Sequence, residues 1–240
     1  MHAHPLHFGI LRTDAVLETL QPEFGDYPAM FRRVFGRLDV PVTFTDIDAQ
    51  GALPASVDCD AYIITGSRHS VYEELSWLPP LVDFLRQVLR EGKKIVGVCF
   101  GHQLMAHFFG GRVEQAAQGW GVGVHACQVM GQPPWMGERA AQLALLCSHR
   151  DQVQQLPETA ELWLSSSFCP LSGFTMGDQV ITVQGHPEFS KPYAQALMDM
   201  RREMLGEEVY RRGVDSLEQT TDEVRLAGWL LDFVATPRGN

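Results

Sequence analysis

With 240 residues, 45% of them hydrophobic and 20% charged, the chain has the composition of a globular protein that can bury a sizeable core, which excludes an intrinsically disordered one. Nineteen Lys and Arg against 29 Asp and Glu leave a formal charge of −10, and an acidic surface repels phosphate backbones and anionic lipids, so neither nucleic acid nor a membrane is expected as a partner. The five cysteines, at 59, 99, 127, 147 and 169, show no CxxC pair and no Cys/His zinc spacing, and read as reduced thiols of a cytoplasmic chain that needs no metal or cofactor.

Taken in chain order, residues 6–11 (LHFGIL) and 42–47 (VTFTDI) read as strands, 61–65 (AYIIT) as a buried strand and 93–98 (KKIVGV) as another. Between the last two, Leu81, Phe84, Leu85 and Val88 recur at helical spacing and Gly92 is a natural stop. Strands alternating with helices predict an α/β fold, a mainly parallel central sheet flanked by helices, with sites at the carboxyl ends of the strands. The apolar run from Ile95 to Phe109 contains His102, Gln103 and His107 and is too polar to span a bilayer, and the amino terminus lacks the pattern of a signal peptide. The second half is richer in strands, at 121–130, 141–147, 161–166 and 179–184, some of them expected to pair antiparallel, with a loop at 131–137. A helix from Tyr193 to about Arg211 and another through Val224, Ala227, Leu231 and Val234 close the chain. No internal repeat or linker is visible, so one domain over 1–240 is expected, with a core at about 6–190 and a helical extension at 191–240.

Residues 94–111 (KIVGVCFGHQLMAHFFGG) run from an apolar strand through Gly97-Val98-Cys99-Phe100-Gly101 into a helical stretch. Glycines two before and two after a nucleophile let strand and helix approach closely, so that the nucleophile stands on a strained turn. The free N–H groups and dipole at the helix start would favour a thiolate on Cys99, and the Phe100 N–H would face a developing oxyanion. Downstream, Gln184-Gly185-His186-Pro187-Glu188-Phe189 follows a strand, where residues two apart project to the same side. His186 as base and Glu188 as the group that orients it complete, with Cys99, the outline of a nucleophilic triad.

These segments, with TGSRHSVYEE (65–74) and SHRDQV (148–153), resemble the class I glutamine amidotransferases, the family that includes the glutaminase domain of GMP synthetase and the standalone γ-glutamyl peptidases of plants. The resemblance covers roughly residues 45–190 and favours the standalone members. It implies that Cys99 attacks the γ-carbonyl of a glutamyl substrate to form a thioester, that His186 protonates the leaving amine and then activates water, and that Glu188 orients His186. It further implies an oxyanion hole at Gly66 and Phe100, a substrate contact at Gln103, and contacts to the substrate's α-groups around Ser165, Ser166 and Ser167. No phosphate-binding or pyrophosphatase loop is present, so a synthase using ammonia would be a separate subunit. Three functions follow: a self-sufficient hydrolase of small γ-glutamyl amides or peptides, favoured here; a glutaminase subunit serving a synthase; or a non-catalytic binding protein.

Other features read as structural. Gly121 to Ala126 match a dinucleotide fingerprint formally but lack its strand and helix flanks. His2, His4 and His7 have no complementary carboxylate or thiol. Residues 148–151 (SHRD) read as a structural turn near the site, in which Asp151 caps a local helix or turn. Cys59, Cys127, Cys147 and Cys169 read as core or near-surface thiols.

Overall fold

The structure, a computed structural model, describes residues 5–237 apart from 132, 134, 138 and 139. His2 and His4 lie outside the described residues, as do two positions of the loop at 131–137. In the first half, β1 (Leu6–Arg12), β2 (Val42–Asp48), β3 (Ala61–Ile64) and β4 (Lys94–Val98) pair parallel in the order β2-β1-β3-β4. The intervening helices are α1 (Gln21–Phe24), α2 (Tyr27–Phe35) and α3 (Leu78–Arg90). Helix α2 was not among the predicted elements, although its start is written locally: Asp26 accepts the Ala29 N–H at 3.0 Å, and Pro28 lies in the first turn.

Strands β1, β3 and β4 are buried on both faces, so their side chains sort alternately into two cores, while the edge strand β2 leaves Thr43, Thr45, Asp46 and Asp48 exposed. Phe8 and Ile10 of β1, Ala61 and Ile63 of β3, and Val96 and Val98 of β4 pack toward α2 and the last helix, α8 (Glu223–Ala235). Leu11, Tyr62, Ile64 and Ile95 face the other way, against α3 and α4 (Phe100–Phe108).

The second half supplies β5 (Arg112–Gln115), β6 (Gly121–Val129), β7 (Gln142–His149), β8 (Asp151–Gln155), β9 (Ala160–Ser165), β10 (Gly173–Met176) and β11 (Val180–Val183). Strand β11 returns to lie parallel beside β4, and antiparallel pairing then continues the sheet to nine strands in the order β2-β1-β3-β4-β11-β10-β9-β6-β7. Strands β5 and β8 form a small antiparallel pair of their own. The formal dinucleotide fingerprint is part of β6, inside the antiparallel section, and the next element in the chain is β7 rather than a helix.

The single helix expected from Tyr193 to about Arg211 is divided into α5 (Lys191–Met200), α6 (Arg202–Leu205) and α7 (Glu207–Ser216). The breaks fall at Arg201 and at Gly206, whose φ of 76° is a left-handed conformation that ends a helix. Helices α5 and α7 pack on the antiparallel end of the sheet. No helix among the described residues is long and apolar enough to cross a membrane.

Helix α8 is fastened to the start of β4 by a buried lysine. The Lys94 ammonium donates to the Phe233 and Thr236 carbonyls, each at 2.6 Å, and lies 4.8 Å from the Phe233 ring centroid. These carbonyls belong to the negative end of the helix dipole. Lys94→Met keeps the stem but leaves the carbonyls without this donor, and is expected to lower the unfolding free energy by about 2–3 kcal/mol in urea titrations. Stability within experimental error of the wild type would show that the helix end is held by other contacts.

Candidate active site

The carboxyl ends of β1, β3, β4 and β11 converge on one cleft of about 470 Å³. Cys99 sits between the end of β4 and the first residue of α4, with φ 51° and ψ −96°. It is the single non-glycine residue with positive φ among the described residues. The flanking glycines account for this geometry. A Cβ on Gly97 would stand 2.7 Å from the Gly101 carbonyl oxygen, and one on Gly101 would stand 2.6 Å from the carbonyl oxygen of Ile64. The helix therefore starts hard against two strands, and the residue between them takes a conformation that costs about 1–3 kcal/mol.

All five cysteines are buried and free, yet only Cys99 lines the cleft. Burial pushes the other four thiols up, Cys169 to about 12 and Cys147 well above its ordinary value. Cys99 donates its backbone N–H to the Val183 carbonyl at 2.9 Å, and its sulfur accepts from the Gln184 side chain at 3.5 Å.

His186 reaches the same cleft from the loop after β11, held by its N–H to the Leu146 carbonyl at 2.8 Å. Its Nδ1 lies 2.8 Å from Glu188 Oε1, and both side chains are buried. The Phe189 ring stacks on the imidazole, with centroids 3.7 Å apart and planes inclined by 9°. Tyr193 meets Phe189 edge-on, and Tyr27 stacks beyond it. Burial alone pulls the His186 pKa down, but the charges of Glu188 and the Cys99 sulfur outweigh it, so the imidazolium is favoured to a pH well above the ordinary histidine range.

The loop after β3 forms the opposite wall. A Cβ on Gly66 would come within 2.9 Å of His186 Cε1 and 3.7 Å of Cys99 Cβ, so this backbone closes on both side chains. Thr13, just past β1, donates its hydroxyl to the Gly66 carbonyl at 3.0 Å. Asp14 accepts from the Arg68 N–H at 2.9 Å and from Nε and Nη2 at 2.8 Å. Burial raises the Asp14 carboxyl, but the Arg68 hydrogen bonds prevail and hold it below its ordinary value. The Phe100 N–H is at the first position of α4, where no carbonyl of the helix can accept it.

Of the residues singled out from the sequence, Cys99, His186, Gly66 and Gln103 line the cleft together, with Glu188 and Phe100 directly behind. Gln103 donates to the Asp151 carbonyl at 2.8 Å and to the Gln184 side chain at 3.1 Å. The structure does not bring Ser165, Ser166 and Ser167 to the cleft lining. Ser165 ends β9, Ser166 is engaged in a local turn with Cys169, and Ser167 is exposed. Ser148 to Asp151 line the cleft instead. They form the β7–β8 junction, and the Asp151 carboxylate accepts the Ser70 hydroxyl across the cleft and caps no helix. Sequence reasoning also missed Asp14, Tyr27 and Tyr193; only Asp14, a polar residue just past a strand's carboxyl end, carries a signal that could have found it. His7 pairs with Thr45 at 2.9 Å and faces the Cys59 sulfur at 3.9 Å, away from this site.

The Cys99 backbone predicts that Cys99→Gly, which relieves the strain, unfolds at higher urea than Cys99→Ala, which keeps it; about 1 kcal/mol should remain after the entropy cost of glycine. An alanine variant equal to or more stable than the glycine variant would mean the turn is unstrained. The raised pKa of His186 has its own sign. Its stabilisation is fully present below the unfolded value of about 6.5 and is lost as the pH rises through the folded value. The stability difference between wild type and Glu188→Gln should thus be largest near pH 6 and shrink in alkaline buffer; a difference that widens would contradict a Glu188-stabilised imidazolium.

Comparison with known proteins agrees with this architecture. The glutamine amidotransferase class-I family model matches residues 23–200. A γ-glutamyl peptidase 3 from Arabidopsis thaliana is 31% identical over 195 residues, covering 76% of both chains. A glutamine-hydrolysing GMP synthase from Caldicellulosiruptor saccharolyticus is 35% identical over 127 residues, 52% of this chain but 24% of the synthase. The crystal structure of a glutamine amidotransferase from Thermotoga maritima superposes with a TM-score of 0.74 at 18% identity, covering 97% of each chain, a likeness of fold. With three quarters of its length inside the family model and an elbow cysteine at the carboxyl edge of its sheet, this chain belongs to the class I glutamine amidotransferase family.

Proposed function

We propose that this amidotransferase-type hydrolase cleaves γ-glutamyl amide bonds through a γ-glutamyl thioester on Cys99. The observation that carries the reading is the strained Cys99 turn facing the buried His186–Glu188 pair across one cleft. In the proposed reaction the Cys99 thiolate adds to the γ-carbonyl carbon, and the oxyanion is met by the N–H groups of Gly66 and Phe100. His186 gives its proton to the departing amine, which leaves a thioester; it then takes a proton from water as the water attacks, and glutamate departs with the thiolate restored. Glu188 fixes the imidazole tautomer and stabilises its charge, while Gln103 positions the glutamyl unit against the backbone at Asp151.

A self-sufficient hydrolase is favoured over a glutaminase subunit that awaits a synthase. Support comes from a cleft whose thiol, imidazole and loop backbone meet within the one chain, and from the resemblance to γ-glutamyl peptidases over most of its length. The chain with glutamine alone, and with γ-glutamyl amides and peptides, should release glutamate from at least one peptide faster than from glutamine. Cys99→Ala should abolish that release; residual activity above a few per cent would remove Cys99 as the nucleophile. Glu188→Gln should slow turnover roughly a hundredfold or more. No release from any substrate, with Cys99 still alkylated by a glutamine-like electrophile, would favour the synthase-dependent reading.

A further inference from the structure

Helix α5 runs along the cleft, and Tyr193, Leu197 and Arg201 line it at successive i, i+4 positions. Tyr193 marks the inner end, because its ring packs on Phe189, which in turn covers His186. Arg201 is two helical turns farther out, about 12 Å along the axis. It also lies just outside the segment matched by the family model.

The Arg201 guanidinium is built into the wall. It donates to the Ser148 hydroxyl at 2.9 Å and lies 5.7 Å from the centroid of the Trp120 ring. Neither group neutralises its charge, and among the described residues no carboxylate stands within ion-pair distance of it. Arg68, on the same cleft, differs in that its fork is engaged by Asp14. Arg150, exposed on the Ser148 side, adds a second cation, also without an ion-pair partner among the described residues. A chain of net charge −10 thus carries two uncompensated guanidinium groups on the wall of its cleft.

We propose that Arg201, on its Trp120 and Ser148 support, is a specificity-determining residue that binds a carboxylate carried by the leaving amine. The preferred substrates are then γ-glutamyl peptides whose leaving part is a dipeptide or longer with a free carboxyl end, and neutral or cationic γ-glutamyl amines are disfavoured. A planar fork beside an aromatic face suits a carboxylate, which its donors can grip in two parallel hydrogen bonds. The carboxylate of a leaving dipeptide lies six bonds from the reacting carbon, about 7 Å out, whereas the glutamyl α-carboxylate, four bonds away, reaches only about 5 Å, and Arg201 belongs to the outer part of the cleft. The inference rests on the γ-glutamyl hydrolase reading.

The test compares kcat/KM for γ-glutamylalanylglycine, whose leaving dipeptide ends in a carboxylate, with that for its C-terminal amide, which lacks it. In Arg201→Gln the ratio of the two should fall roughly tenfold or more, through KM for the free acid, and Arg201→Lys should recover part of it. An unchanged ratio overturns the proposal whatever happens to the absolute rates, since a structural role or a contact to the glutamyl α-carboxylate would affect both substrates alike. If the wild type turns over neither compound, the hydrolase reading fails by itself. Calorimetry on the Cys99→Ala chain then decides the binding question: weaker binding of γ-glutamylalanylglycine relative to its C-terminal amide on adding Arg201→Gln upholds the anion site, and equal relative binding removes it.

Discussion

The contact between helix α4 and the strands beneath it is the constraint on which the rest of the site depends. A Cβ on Gly97 has no room against the Gly101 backbone and one on Gly101 has none against Ile64, so the first turn of the helix presses on β3 and β4. Cys99 is carried at the corner, in a backbone conformation that no other non-glycine residue among those described adopts. Strain of this kind persists only where surrounding structure over-determines it. Here the over-determination is visible: Phe100, Leu104 and Met105 are buried in one core, Val96 and Val98 in the other, and Cys99 N–H is tied to β11.

Around that corner the cleft is held from several sides by unlike forces. Hydrogen bonds and an ion pair from the end of β1 fix the Gly66 loop, through Thr13 and Asp14. Aromatic stacking fixes the plane of His186, with Phe189 against its face and the two tyrosines behind. Glu188 holds one ring nitrogen, and its charge in a buried setting is what keeps the imidazolium favoured. Flat rings and fixed backbone hold such a geometry with little rotamer entropy left to lose, which is the preorganisation that chemistry at a developing charge requires.

The C-terminal helices convert a general amidotransferase scaffold into a particular cleft. Helix α5 supplies Tyr193 to the inner end and the break that follows it supplies Arg201 to the outer part, while α8 is anchored to the opposite end of β4 through Lys94. One strand thus carries the elbow at its carboxyl end and the tether of the tail at its amino end, so the tail is coupled to the most buried part of the fold.

Much of this was legible in the sequence wherever the determinants are local. The five residues from Gly97 to Gly101 encode their own turn, His186 and Glu188 are two apart on one extended stretch, and β1, β3 and β4 announce themselves as short apolar runs buried on both faces. What the sequence could not order is the cleft wall. Ser165 to Ser167 and Ser148 to Asp151 are both polar and both close to strand ends, and only the strand order β9-β6-β7, with the β7–β8 junction folded toward Gln103, decides which set lines the cleft. The pairing of Asp14 with Arg68 spans 54 positions and that of Arg201 with Ser148 spans 53, separations over which periodicity carries no information. The helix breaks at Arg201 and Gly206 likewise interrupt a continuous apolar period, because the tail must turn to follow the antiparallel end of the sheet. The sequence by itself therefore determined the chemistry at the corner, through contiguous residues and sterics, while the tertiary structure alone decided which distant side chains surround it.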